Sequence, residues 1–257
     1  MATVQTGTVD VNGGEIYYEI SGDGPPVVLV HGFGVDRRMW VDQLDALSER
    51  YTVIAYDLRG FGKSSMPRGT YRHYDDLAAL LGHVGVEDVS LVGSSLGGRV
   101  ALDFAIAHPE HTRSVITEAG VPSGFDFTRP PGTPPGPNRA LLRNTLEILS
   151  DEKAGFLKSM VADYSRWHRK NTDPRIEVEP PAIGRLGEIM APVLVTVGSL
   201  DEPDFHRAAD MLVSGIARSR THIFEGSGHL PNMDAPEEFN RVVLDFLDLN
   251  RHYSLSR

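Results

Sequence analysis

Gly93-Ser94-Ser95-Leu96-Gly97-Gly98 is the densest chemical signal in the sequence. It holds the pattern Gly-x-Ser-x-Gly with Ser95 at its centre. A serine hydroxyl attacks a carbonyl only when a base takes its proton and donors await the oxyanion that forms. Glycines on either side permit a turn too tight for larger residues, and such a turn lifts the hydroxyl of Ser95 to the start of a following helix. Free backbone N–H groups and the helix dipole favour negative charge there. Ser94 is one place early for that register and is expected to be a neighbour. A Gly/Ser-rich turn with no chemistry would look the same, so the decision rests on the other segments.

Three of these complete a possible constellation. His31-Gly32-Phe33-Gly34 is a glycine-rich loop whose Phe33 N–H, with that of Leu96, is the candidate oxyanion hole. Gly32 would lie beside the substrate. Gly198-Ser199-Leu200-Asp201 offers a carboxylate, and Gly226-Ser227-Gly228-His229 offers an imidazole. The imidazole would take the proton of Ser95, and the carboxylate would fix its tautomer. Glu118 is a possible alternative acid, because it also ends a strand-like run, Ser114 to Thr117, and is followed by Ala119-Gly120.

These residues need a scaffold that brings loop ends together. Val4 to Val11 and Glu15 to Ile20 read as strands joined at Asn12-Gly13-Gly14, a hairpin signal. Val27 to Val30, Thr52 to Tyr56, Val89 to Val92, Val193 to Val197 and Thr221 to Phe224 are strand-like runs, the apolar ones suited to burial on both faces. Helical spacing recurs between them, at Trp40, Leu44 and Leu47, at Leu77, Leu80, Leu81 and Val84, at Val100, Ala101, Phe104 and Ala105, and at Val242, Val243, Phe246 and Leu247. This alternation predicts an α/β fold with a mostly parallel sheet covered by helices on both faces. Each candidate residue then follows a strand, at the carboxyl edge where open α/β sheets keep their sites.

The middle of the chain breaks the rhythm. Pro130, Pro131, Pro134, Pro135 and Pro137 mark a loop. Two helical faces follow, one over Leu141, Leu142, Thr145, Leu146 and Leu149, the other over Phe156, Leu157, Met160, Val161, Tyr164 and Trp167. Asp173-Pro174 and Pro180-Pro181 end the segment. The expected division is a core of residues 1–120 and 186–257 with a helical cap at 121–185. Phe125, Phe127 and Trp167 would line the substrate pocket. Helices that merely pack on the sheet would give the same pattern.

Composition narrows the remaining classes. Of the 257 residues, 40% are hydrophobic and 23% charged, as in an ordinary soluble domain. A net charge of −10 argues against nucleic acid and anionic membranes as partners and does not itself identify a substrate; the partner expected of the constellation above is a small-molecule substrate. The chain has no cysteine, so disulfides and thiol chemistry are excluded. The first ten residues show no basic stretch with an apolar run after it, so a cytoplasmic setting is expected. Gly62-Lys63-Ser64 imitates a phosphate loop, but Asp57 stands where that loop needs glycine. His108 and His111 have no third ligand nearby in sequence, so no metal is expected. The histidines at 73, 83, 168, 206, 222 and 252 sit in polar or mixed contexts that suggest surface roles.

Taken together, the sequence resembles the α/β-hydrolase superfamily over nearly its whole length. His31 to Gly34 looks like the family's oxyanion loop. Asp57-Leu58-Arg59-Gly60-Phe61-Gly62-Lys63-Ser64 looks like its D-x-R-G-x-G-x-S loop. Gly198 to Asp201 with Pro203, and Gly226 to His229 followed by Pro236-Glu237-Glu238-Phe239, look like its acid and histidine segments. The order Ser, Asp, His is the family's order. The resemblance implies a central sheet of about eight strands with a small helical cap. It implies Ser95, Asp201 and His229 as a triad acting without a cofactor on an ester, lactone or thioester. A C–C bond hydrolase, a perhydrolase or a slow ligand receptor would use the same frame. Relatives with Asp at the elbow alkylate it, and Ser95 argues against that chemistry. Some of those relatives keep their acid after the strand that Glu118 ends.

Overall fold

In a computed structural model, residues 3–11, 13–128, 142–168 and 174–253 are described, with the side chains of 165–168 excepted. Asn12, the proline-rich loop from Pro130 to Pro137, Leu141 and Asp173 lie outside that description, as does the side chain of Trp167.

Eight strands form one sheet in the order β1-β2-β4-β3-β5-β6-β7-β8. β1 (Gln5–Val11) and β2 (Gly14–Ser21) pair antiparallel, and β2 pairs antiparallel with β4 (Thr52–Tyr56). All other pairings are parallel, joining β4 to β3 (Pro26–Val30), then β5 (Val89–Ser94), β6 (Thr112–Glu118), β7 (Val193–Gly198) and β8 (Ser219–Phe224). β5 and β7 are buried at every position. Helices cover both faces, so neither side meets water, and the polar side chains of Ser90, Ser94 and Thr196 are buried with the apolar ones.

The two faces separate by the strand's period of two. Val28, Val30, Ile54, Leu91 and Val193 share one apolar cluster with α2 (His73–His83), α3 (Leu96–Ala107) and α6 (Pro203–Gly215). Val27, Leu29, Val53, Val92 and Leu194 share the other with α1 (Val41–Ser48) and α8 (Pro236–Leu249). The second cluster also takes in Ala154, Leu157 and Met160 from α5 (Asp151–His168), which follows the short α4 (Arg143–Ile148). Lys153 on α5 bonds to Asp42 on α1 at 2.7 Å.

Two local expectations need correction, and one helix was not anticipated. Trp40 lies in a 3-10 turn (Arg37–Trp40) ahead of α1, where it is fully buried against Phe239. α6 has no counterpart in the sequence reading. His73 is buried at the start of α2, not on the surface. Its ring meets Tyr71 edge-on at 4.9 Å, and burial pushes its pKa well below the usual histidine value. No helix among the described residues is long and apolar enough to cross a membrane.

Candidate active site

Ser95 sits between β5 and α3 with φ 51° and ψ −107°, a conformation that side chains rarely adopt. Its surroundings enforce this. A side chain at Gly93 would run into the backbone of Gly97, and one at Gly97 would run into the carbonyl of Val30. The Ser95 N–H donates to the carbonyl of Glu118 at 2.7 Å, stitching the elbow to β6. Leu96 opens α3, so its N–H has no carbonyl one turn earlier in the helix to bond.

The loop after β3 lies against this elbow. A Cβ placed on Gly32 would stand 3.6 Å from the Cβ of Ser95. The backbone at Gly32 therefore runs beside the serine. His31 holds that loop. The Leu58 N–H donates to its Nε2 at 2.9 Å, which leaves the proton on Nδ1, and Nδ1 donates to the Gly32 carbonyl at 2.8 Å. Burial lowers the pKa of His31, in keeping with a neutral ring. The loop from Asp57 to Ser64 is a further brace. Asp57 accepts from the N–H groups of Arg37 at 2.9 Å and Lys63 at 2.8 Å, and from the Arg37 guanidinium at 3.0 Å.

His229 and Asp201 meet directly. The imidazole Nδ1 donates to the Asp201 carboxylate, 2.9 Å from Oδ2 and 3.1 Å from Oδ1, and both residues are buried. The loops that carry them are laced together. Leu200 N–H donates to the Ser227 carbonyl at 2.9 Å, and Gly226 N–H donates to the Ser199 hydroxyl at 2.9 Å. A side chain at Gly198 would strike the carbonyls of Ser227 and Gly228. Asp234 accepts from the Gly228 N–H at 2.7 Å, and burial raises its pKa to about 6.

The carboxyl of Glu118 has a different partner. Its Oε1 accepts the N–H of Asn232 at 2.6 Å, in the short α7 (Pro231–Asp234) just after His229. It is fully buried, and desolvation pushes its pKa up to about 8. The geometry thus puts Asp201 on the second imidazole nitrogen and Glu118 beneath the elbow.

Aromatic rings flank both sides. Phe205 on α6 packs on the His229 ring at 4.5 Å, Phe127 on Phe205 at 5.7 Å, and Phe125 on Phe127 at 5.1 Å. On the side of the loop after β3, Phe33 meets Tyr164 of α5 at 4.9 Å and Phe61 at 5.8 Å. Phe205 and Tyr164 were not among the expected site residues. Phe205 follows Asp201 by four positions, a spacing that could have drawn notice, whereas the contact of Tyr164 depends on how the insert folds back. A cleft of about 530 Å3 opens beside Phe61 and Tyr164, also lined by Arg38, Lys63 and Met160; Ser95, Asp201 and His229 are not among its lining residues. Among the described residues no group of His, Asp and Glu is placed to hold a metal ion.

The sequence model described as "Alpha/beta hydrolase family" matches residues 27–242. The chain belongs to that family. Among its relatives, the 2-hydroxy-6-oxononadienedioate/2-hydroxy-6-oxononatrienedioate hydrolase of Klebsiella pneumoniae is 31% identical, over 96% of each chain. The pimeloyl-[acyl-carrier protein] methyl ester esterase of Aeromonas hydrophila is 28% identical, over 88% of this chain and 96% of its own. A solved thermophilic esterase of Thermogutta terrifontis superposes with a TM-score of 0.77 at 25% identity, covering 95% of this chain and 98% of that one. The family, the eight-stranded sheet and hydrolase activity therefore stand together.

Proposed function

We propose that the protein is a serine hydrolase that cleaves a carboxylic ester, lactone or thioester through an acyl-enzyme on Ser95. The observation that carries this reading is the His229–Asp201 pair at 2.9 Å, together with a serine held at φ 51° at the end of β5. In this mechanism His229 Nε2 takes the proton as Ser95 Oγ attacks the carbonyl carbon. The N–H groups of Phe33 and Leu96 hold the oxyanion. His229 then protonates the leaving group, and afterwards activates water against the acyl-enzyme. Asp201 keeps the proton on Nδ1 and stabilises the imidazolium. No cofactor takes part.

Residues 121–185 act in this reading as a cap. Phe125 and Phe127, with Gly32 and Trp167, shape the acyl pocket, and Phe205 joins them to the base. The likeness to the dienedioate hydrolase favours a second reading, in which the same triad cleaves a C–C bond next to a carbonyl. Fluorophosphonate labelling at Ser95, followed by steady turnover of p-nitrophenyl esters, supports the ester reading. Turnover of dienone acids alone would favour the second, and tight ligand binding with no turnover would reduce the fold to a receptor.

A further inference from the structure

Thr145 is fully buried in α4, far in sequence from the catalytic loops. Its hydroxyl oxygen accepts the N–H of His229 at 2.9 Å and that of Leu230 at 3.3 Å. The fit is close. A Cβ placed on Gly228 would stand 2.6 Å from the Thr145 oxygen and 2.7 Å from its backbone nitrogen. The preceding residue reaches the other loop, since Asn144 Nδ2 donates to the carbonyl of Leu200, the residue before Asp201.

An imidazole ring is oriented by its side-chain partner and by the backbone that carries it. Asp201 supplies the first restraint on His229, and the Thr145 oxygen supplies a restraint of the second kind. Without that oxygen, two buried N–H groups would lose their acceptor. The loop would then move to find another. Small displacements of a catalytic group are expensive in rate, even when fold and substrate binding persist.

We propose that Thr145 is a positioning residue for His229, so that the insert completes the geometry of the base through α4. This rests on the reading of Ser95 and His229 as nucleophile and base. A cap that only covered the pocket would set substrate choice. Here its first helix also governs proton transfer, so a movement of α4 that bared the pocket would slacken the base as well.

The test compares Thr145→Val, Thr145→Ser and Gly228→Ala with the full-length protein, each measured for kcat and KM on p-nitrophenyl butyrate, fluorophosphonate labelling rate and melting temperature. Thr145→Val keeps the shape and removes the acceptor. It should lower kcat and the labelling rate by about tenfold or more, with KM within about twofold. Thr145→Ser restores the oxygen and should return kcat to within about threefold of the native value. Gly228→Ala pushes the loop off α4 while Thr145 remains, and should lower kcat in the same way, which keeps the proposal testable if Thr145→Val fails to fold. Native kcat and labelling in Thr145→Val, or a loss that serine does not restore, would overturn the proposal while native labelling at Ser95 left the triad standing. Should the native protein fail to label at Ser95, the underlying reading falls first and the proposal with it.

Discussion

The carboxyl of Glu118 and the backbone N–H of Asn232 lie 2.6 Å apart, beneath the serine elbow. The same residue's carbonyl accepts the N–H of Ser95. One buried residue thus ties the turn at Ser95 to the segment that follows His229, while Asp201 holds the imidazole. With its pKa raised by burial to about 8, Glu118 is mostly a neutral acid at pH 7.

That division of labour sets apart two amide substitutions. Asp201→Asn removes the negative charge that fixes the tautomer of His229, and should lower kcat by about a hundredfold or more. Glu118→Gln replaces a neutral carboxyl with a neutral amide of similar shape, and should cost about tenfold at most. Both are read as kcat on one ester at saturating substrate. A larger loss in Glu118→Gln would move the acid to the end of β6.

Stability should fall as pH rises from about 6 to 8. Glu118, Asp103 and Asp234 all have pKa values raised by burial, to about 8, 6 and 6. Each binds its proton more tightly folded than unfolded. Its contribution is whole below the unfolded pKa and is lost as pH climbs through the folded one. The two aspartates are spent by about pH 6, so the decline from pH 6 to 8 belongs mainly to Glu118. His31 and His73, with lowered values, act in the opposite sense, with their contribution lost as pH falls below the unfolded histidine value. Glu118→Gln should therefore flatten the upper range, by roughly 2 kcal/mol relative to the native protein between pH 6 and 8. Denaturant titrations at several pH values check this; parallel curves for the two proteins would contradict it.

The aromatic chain from Phe125 to His229 makes a prediction about selectivity. Phe127 is half-buried and packs on Phe205, which in turn packs on the His229 ring. Phe127→Ala should shift the ratio of kcat/KM between short and long acyl chains by roughly tenfold, with a small change in melting temperature. An unchanged chain-length profile with a lowered melting temperature would make these rings scaffold.

What the sequence disclosed follows from which forces act locally. β3, β5 and β7 were legible because a strand buried on both faces is mostly apolar, and Gly93, Gly97 and Gly198 mark turns with no room for side chains. The elbow was legible from its Gly-x-Ser-x-Gly pattern, although only Gly93 answers to backbone within a few residues, at Gly97 and Gly98, whereas Gly97 answers to Val30 and His31. α6 escaped notice because two of its buried positions, Ala208 and Ala209, add little hydrophobic contrast among charged neighbours. The burial of His73 and the contacts of Thr145 with the base loop come from residues brought together by the sheet order and the insert. Residue types in a local window carry no trace of such pairings. Glu118 shows the same limit, because its neighbours in sequence are those of an acid at a strand end, and only the path of α7 separates its partner from that of Asp201.

The central claim is the covalent step at Ser95, and mass spectrometry of the protein mixed with an activated ester tests it most directly. Intact-mass analysis in the first moments of turnover should show one acyl group added, mapped by digestion to the peptide holding Ser95. Ser95→Ala should show no adduct and should lose at least about a thousandfold in kcat, whereas Ser94→Ala should still acylate. An adduct that persists in Ser95→Ala, or near-native turnover by that variant, would contradict the account.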